Sequence, residues 1–254
     1  MAGTGSFAGR VALVTGGGAG MGRAAAVAFA REGARVVVAD VDMAGGDETV
    51  RLIAAEGSEA LFVRTDVADA GAVEAMVHAA ETAYGRLDCA FNNAGINEEH
   101  GPLTDCTEAQ WDRILGVNLK GTWLCMKYEI PLMARSGGGA IVNNASVVGL
   151  VGSRGTPAYV ASKHGILGLT KAAALDHAKE GIRVNAVCPG AIYTPMYVRR
   201  EGADPEHDAR IAAGIPLGRL GQPEDVARAV QWLCAGESSF VTGEHIVVDG
   251  GETV

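Results

Sequence analysis

Tyr159 and Lys163 stand four positions apart in the stretch RGTPAYVASKHGILGLTKAAA. On a helix, positions i and i+4 share a face, so both side chains can enter one cleft. A phenol ordinarily titrates near pH about 10 and is a poor base at neutrality. An ammonium beside it favours the phenolate, by about 1–3 pH units on the range seen for opposite charges. That brings the hydroxyl toward the range of efficient acid–base catalysis. Burial pushes the other way, so the lysine is needed. Ser146, following an apolar run, can donate a hydrogen bond to a reacting oxygen. The competing reading is that Tyr159 packs in a core and Lys163 lies in solvent.

A second constellation lies near the start. The run Val11–Thr15 leads into Gly16-Gly17-Gly18-Ala19-Gly20-Met21-Gly22 and then Arg23-Ala24-Ala25-Ala26. Glycines let the backbone turn tightly and approach a pyrophosphate with no Cβ in the way. The helix that follows aims its amides and positive dipole end at the anion. Gly20-x-Gly22-x-x-Ala25 meets the permissive dinucleotide fingerprint; alone it is weak, and its place between strand and helix strengthens it. A glycine-rich turn without a ligand is the alternative.

The next apolar run ends at Asp40. A carboxylate there can accept hydrogen bonds from both ribose hydroxyls of an adenosine, and it repels a 2′-phosphate. Asp42 adds negative charge, and no Arg or Lys stands at 17–19 or 41. The expected cofactor is therefore NAD rather than NADP. Asp40 as a simple helix N-cap is the other reading.

These groups need elements to hold them. The sequence predicts strands at Val11–Thr15, Val36–Ala39, Ala60–Arg64, Cys89–Asn92, Ala140–Asn144, Val184–Cys188 and Ile246–Val248. Helical patterns fall near 20–32, 43–56, 69–84, 107–135, 157–180 and 223–235. The strands read as continuous apolar runs, as strands covered on both faces of a parallel sheet do. The expectation is α/β: a doubly wound (Rossmann) parallel seven-stranded sheet with helices on both faces. No linker or repeat divides the chain, so 1–254 is expected to be a single dinucleotide-binding and catalytic domain. Residues 193–222 break the alternation with charges, prolines and glycines and fit a substrate lid within it; an ordinary surface excursion is the alternative.

Composition narrows the function classes. In 254 residues, 48% hydrophobic and 20% charged, there is ample material for a large core. A net charge of −9 with no basic run argues against nucleic acid and anionic membranes as partners. The five cysteines show no metal-ligand spacing and read as reduced, packed thiols. The six histidines show no metal pairing, and no metal site is expected. The start, MAGTGSFAGR, has no signal-peptide pattern, and no apolar stretch approaches the roughly 20 residues of a membrane span. A cytoplasmic protein is expected.

Taken together the motifs resemble the short-chain dehydrogenase/reductase family in its single-domain form, over nearly the whole chain. They are Thr15-Gly16-x-x-x-Gly20-x-Gly22, Asn92-Asn93-Ala94-Gly95, Asn118 in VNLKG, Ser146 in NNASVVG, Tyr159-x-x-x-Lys163, Pro189-Gly190, Thr194-Pro195-Met196 and a closing VTGEHIVVDGG. The resemblance implies hydride transfer between NAD(H) and a secondary alcohol or ketone, with Tyr159 as acid/base and Lys163 as its partner. It implies that Ser146 positions the substrate oxygen and that Asn118 completes a proton relay through a water. The implied cofactor contacts are Gly16, Gly20, Met21, Gly22 and Asp40, with Asp66 and Val67 at the adenine. Asn92, Ala94 and Gly95 would line the cofactor's path, followed by Pro189, Gly190, the Ile192 amide and the Thr194 hydroxyl at the carboxamide. Lys163 would also bond the nicotinamide ribose.

The resemblance further implies a homotetramer sharing the helices near 107–135 and 157–180. Asn97 or His100 could touch a small-molecule substrate, against a pocket wall of Val147, Val148, Leu150 and Val151. Tyr193, Met196 and Tyr197 would cover it. An NADPH-dependent carbonyl reductase and a non-catalytic dinucleotide-binding scaffold are the competing functions. Asp40 opposes the first, and the Ser146–Tyr159–Lys163 set opposes the second.

Overall fold

The structure is a computed structural model that describes residues 5–98 and 101–254. Its seven strands are β1 (Val11–Thr15), β2 (Arg35–Asp40), β3 (Ala60–Arg64), β4 (Cys89–Asn92), β5 (Gly139–Asn144), β6 (Ile182–Pro189) and β7 (His245–Val248). They form one parallel sheet in the order β3-β2-β1-β4-β5-β6-β7. The winding direction reverses between β1 and β4. In such sheets the crevice outside the strands' carboxyl ends at that point is where ligands bind.

The period-two pleat sorts each strand's residues to two cores. Ala12 and Val14 face α1 (Gly20–Arg31), α2 (Met43–Ala55) and α9 (Pro223–Cys234). Val11 and Leu13 face α3 (Ala70–Tyr84), α5 (Gly121–Arg135) and α6 (Pro157–His177). All four strand residues are fully buried, so both faces of β1 are covered. The uninterrupted apolar runs follow from that two-sided burial.

Helix boundaries have local causes. Asp42 and Asp69 cap α2 and α3 by accepting the Ala44 and Gly71 amides. Gly85, at φ +74°, closes α3 in the left-handed conformation that glycine adopts without strain. Pro157 and Pro223 open α6 and α9 at first-turn positions where a missing N–H costs nothing. None of the described helices is long and apolar enough to cross a membrane.

One helix departs from expectation. The pattern over 107–135 is broken into α4 (Glu108–Leu115), a π-helical turn (Gly116–Lys120) and α5. A π turn adds a residue to the helical ladder, and such insertions recur at functional positions. Here it carries Asn118.

Residues 193–222 hold two helices, α7 (Pro195–Glu201) and α8 (Pro205–Gly214). The ends of the segment meet: Ile192 and Gly221 form a β-bridge, closed by Tyr193 N–H to Gly221 O at 2.9 Å and Gly221 N–H to Ala191 O at 3.0 Å.

Candidate active site

Three strand ends and one helix build the site. Ser146 follows β5 and caps a short turn, its Oγ accepting the Val148 amide at 3.3 Å. Tyr159 sits in the first turn of α6, hydrogen-bonded to the Ser146 side chain. One turn on, Lys163 is buried; its Nζ lies 5.4 Å from the centre of the Tyr159 ring and donates to Asn144 O at 2.6 Å. The expected i,i+4 pairing is therefore present, and the solvent-exposed reading of Lys163 is excluded.

The electrostatics differ from the expectation. Burial raises the Tyr159 pKa, and it outweighs the Ser146 hydrogen bond and the positive charge of Arg200, which both lower it. Burial also depresses Lys163, to about 8. Desolvation opposes whichever form is charged, so it lifts an acid and lowers a base. The ammonium does not bring the phenol toward neutrality as the spacing suggested. Arg200, at the end of α7, is a contributor that sequence reasoning missed. It also pairs with Glu201 at 3.2 Å, and nothing in its local sequence distinguishes it from Arg199.

A hydrogen-bond chain ties the site to the glycine loop. Asn144 Nδ2 donates to Asn93 Oδ1 at 3.0 Å, and Asn93 Nδ2 donates to Thr15 O and Gly16 O at 3.0 and 3.1 Å. Thr15 Oγ1 accepts the amides of Asn93 and Ala94 at 3.0 and 3.1 Å. Asn93 and Asn144 were not singled out from sequence. The signal was present in the doublets Asn92-Asn93 and Asn143-Asn144 at the ends of apolar strands, where alternation must send neighbours to opposite sides.

The same alternation turns the Asn92 side chain inward. Asn92 is buried with its amide directed at Glu129 Oε2 (3.0 Å) and Asn143 Oδ1 (3.1 Å). Only its main chain is left for a cofactor. Val67 is similar: its side chain is buried, close against Gly121, which leaves its backbone to face an adenine. The Asp66 carboxylate accepts the Ala68 amide at 2.9 Å on the surface nearby.

Asn118 has a different first duty from the relay. Its Oδ1 accepts the Ile96 amide at 2.8 Å, and its Nδ2 donates to Ile96 O at 2.9 Å and Ser162 Oγ at 3.2 Å. The side chain clamps the loop after β4, and Gly95 passes close to it. Its carbonyl, the atom left for a relay, accepts the Thr122 hydroxyl at 2.7 Å. Asn97 is partly buried in that loop with an unpartnered Oδ1, while His100 lies outside the described residues.

The glycine loop fits a dinucleotide. Gly16 and Gly20 take φ of +61° and +51°, and a Cβ at Gly22 would lie 2.1 Å from Gly16 O. Side chains at these three points would strain the turn or block it. No side chain caps α1, and its first turn, with Met21, carries no acid, so its dipole end is offered outward. Asp40 lies beside the loop, its Oδ2 accepting the Gly18 amide at 2.8 Å and its Oδ1 the Asp42 amide at 2.9 Å. The helix cap here is Asp42, which removes the alternative reading of Asp40. Arg23 is the nearest cation in sequence. Its guanidinium is committed to Gly18 O, to Gly45 O at 3.2 Å and to Thr49 Oγ1 at 3.0 Å.

Across the crevice, β6 ends at Pro189, where Gly190 has no room for a side chain against Asp249 and Glu252. The bridge at Ile192 leaves that residue's N–H out of its two bonds. Thr194 caps α7 by accepting the Tyr197 amide at 3.2 Å, and its methyl side faces Gly20. The segment 193–222 therefore starts directly opposite the glycine loop. Tyr193 and Tyr197 stack at 5.8 Å between ring centres, and the Tyr197 hydroxyl donates to Asp208 Oδ1 at 2.6 Å, joining α7 to α8.

A glycine cradle at the sheet's switch point, joined to half-buried Tyr159 with buried Lys163 and Ser146, defines a dinucleotide-dependent oxidoreductase. The chain belongs to the short-chain dehydrogenase/reductase family, which uses nicotinamide dinucleotides. A family profile described as enoyl-(acyl carrier protein) reductase matches residues 16–253. Cyclohexanol dehydrogenase of Acinetobacter sp. (strain SE19) is 42% identical over 247 residues, covering 97% of this chain and 96% of that protein. Cis-4-hydroxycyclohexanecarboxylate dehydrogenase of Sinomonas cyclohexanicum is 43% identical over 248 residues, with 98% of each covered. Among solved structures, levodione reductase superposes with a TM-score of 0.93 at 36% identity, over 97% of this chain and 98% of that one.

Proposed function

We propose that this chain is an NAD(H)-dependent dehydrogenase of secondary alcohols borne on six-membered carbocycles, running also as a ketone reductase, with Tyr159 as acid/base. The observation that carries the reading is the Ser146–Tyr159–Lys163 cluster at the mouth of the glycine cradle. The names of the relatives supply the ring: cyclohexanol and hydroxycyclohexanecarboxylate share it. A wall of buried Val147 with Val148, Leu150 and half-exposed Val151 suits such an apolar body.

A nicotinamide dinucleotide held here would supply the hydride acceptor for oxidation and the hydride donor for reduction. In oxidation the Tyr159 phenolate removes the alcohol proton while Ser146 holds the oxygen. In reduction Tyr159 returns that proton to the forming alkoxide. Lys163 steadies the anionic form of Tyr159, and the Asn118 carbonyl is the entry of the proton relay. Asp40 accepts the adenosine ribose hydroxyls, which favours NAD over NADP, and Arg23 is held away by its three bonds to the loop and Thr49. Gly16, Gly20, Met21 and Gly22 would hold the pyrophosphate, Asp66 and the Val67 backbone the adenine. Ala94, Gly95, Pro189, Gly190, Ile192 and Thr194 would hold the nicotinamide side. The whole chain acts as one unit, with 193–222 as its substrate lid.

The assembly fits a homotetramer. A groove of about 730 Å³ runs between α4, α5 and α6, lined by Leu115, Leu119, Trp123, Gly165, Gly168 and Leu169. Trp123 is 44% exposed there, and the glycines allow close approach of a second copy's helices. Mass in solution tests it, and a monomer would refute it.

The deciding experiment follows NADH formation from NAD⁺ with cyclohexanols, open-chain secondary alcohols and polyols. Turnover confined to the ring alcohols is expected; turnover of polyols alone would reject the substrate class. Asp40→Ala should bring NADPH affinity to within about tenfold of NADH, as removing one charge repulsion predicts.

A further inference from the structure

Below the site, farther along the same helix that carries Tyr159 and Lys163 and between the sheet and α5 and α6, a second polar cluster is sealed from water. Glu129 on α5 and Asn92, Asn143 and Thr170 are all buried. Hydrogen-bond logic fixes the orientation of each amide. The Thr170 hydroxyl gives its one hydrogen to Ile166 O at 2.8 Å, so its oxygen must accept from Asn143 Nδ2 at 3.0 Å. Asn143 therefore turns Oδ1 toward Asn92, and Asn92 must answer with Nδ2 at 3.1 Å. The same Nδ2 gives its other hydrogen to Glu129 Oε2 at 3.0 Å.

That chain leaves two atoms unmet. Asn92 Oδ1 and Glu129 Oε1 are buried and without partners, and both are acceptors if the carboxyl is ionised. Their residues are already joined by one hydrogen bond. A single proton on the carboxyl would turn one orphan into a donor and satisfy the other.

We propose that Glu129 carries a proton in the folded protein near neutral pH, held on Oε1 and donated to Asn92 Oδ1. The two residues then form a two-bond acid–amide pair, Nδ2–H to Oε2 and Oε1–H to Oδ1. Glu129 is thereby a positioning residue. It anchors Asn92 at the end of β4, whose next residue is Asn93 of the site, and through Asn143 it anchors the end of β5, whose next residue is Asn144, the acceptor of Lys163.

The surroundings agree. Burial raises the Glu129 carboxyl to about 7, with the Asn92 hydrogen bond opposing. Around it β4 brings Asn92, β5 Asn143 and α6 Thr170, while α3 packs on α5 with an apolar buried face of Val73, Met76, Val77 and Ala80. The other titratable group is Cys125, one turn earlier on α5, whose thiol is pushed up by burial and by the Glu129 charge. No cation among the described residues contributes to the Glu129 shift. With the folded value above the usual carboxylate range, the stabilising proton is fully present below that range and lost as pH rises through about 7.

The test is infrared difference spectroscopy of the wild type against Glu129→Gln at pH about 6, joined to melting curves from pH about 5 to 8. Gln keeps a donor and an acceptor in the same places, so it mimics the protonated acid. A protonated-carboxyl C=O band present in the wild type and missing in the variant is expected, as is a melting advantage of the variant that grows with pH. An ionised-carboxylate band in its place, or a melting difference flat with pH, would overturn the proposal. If the variant does not fold, titration of the wild-type Glu129 carboxyl carbon by NMR decides: a midpoint in the ordinary carboxylate range overturns it. Positioning is read from turnover. Glu129→Gln should stay within about twofold at pH 7, whereas Glu129→Leu, which strands Asn92, should lose about tenfold; equal losses would reject the positioning role. The spectroscopic and melting arms need no substrate, so their failure is distinct from a failure of the proposed activity.

Discussion

The two asparagine doublets, Asn92-Asn93 and Asn143-Asn144, read alike in sequence and serve two separate networks. In the upper one, at the strand ends, Asn93 and Asn144 join Thr15 and Gly16 to Lys163. In the lower one, two turns farther along α6, Asn92 and Asn143 join Glu129 to Thr170. Each set keeps buried oxygens without partners, Asn144 Oδ1 in the upper and Asn92 Oδ1 and Glu129 Oε1 in the lower. The lower set is closed. The contrast teaches that the site is held from beneath by polar bonds rather than by apolar packing alone. Such bonds are directional, and they hold the register of β4 and β5 where the reacting groups need it.

Substitutions that separate the two sets sharpen this picture. The largest effect is expected for Tyr159→Phe: turnover should fall by about 10³-fold or more, with NADH affinity within about twofold of wild type. Near-normal turnover would end the acid/base assignment.

Next is Lys163→Met, for which function and stability should move in opposite directions. Burying the ammonium depresses its pKa to about 8, a cost of about 3 kcal/mol at neutral pH by the 1.36 kcal/mol worth of each unit. The lost bond to Asn144 O offsets about 1 kcal/mol. The variant should be inactive and more stable by about 1–2 kcal/mol at pH 7. The sign follows from a base whose folded value is lowered: the cost is full below about 8 and fades toward the free value of 10.5. Wild-type stability should therefore rise with pH across that window, and the variant's should not. Denaturant melts at several pH values measure both.

Asn93→Leu should weaken NADH binding by about tenfold, because it unties the glycine loop from β4. Glu129→Gln should leave NADH binding unchanged. Equal losses in titrations of the two would erase the distinction between the upper and lower sets.

The smallest effect is expected for Arg200→Gln. Its charge lowers the Tyr159 pKa against the rise caused by burial. Without it, the alkaline rise of the oxidation rate should move to higher pH. A pH–rate profile with no displacement would show that α7 does not reach the site electrostatically.

Much of this was determined by sequence alone. Val11–Thr15, Ala60–Arg64 and Cys89–Asn92 match their predicted limits; β1 and β4 are buried on both faces and so read as unbroken apolar runs. The glycine loop was legible because the glycines, the preceding strand and the following helix are contiguous. Tyr159 and Lys163 were legible because a helix puts i and i+4 on one face whatever surrounds it.

What only the tertiary structure decided depends on neighbours distant in the chain. The π turn in 107–135 is bounded by Gly116 and Gly121, and it carries Asn118 to its bonds with Ile96 and Ser162, partners distant in the chain. The inward turn of Asn92 follows from a register set by strands on either side. The rise of the Tyr159 pKa and the fall of Lys163 come from burial, and burial belongs to the assembled fold: local spacing shows which groups can meet, while the dielectric around them is set by everything else that folds over the site.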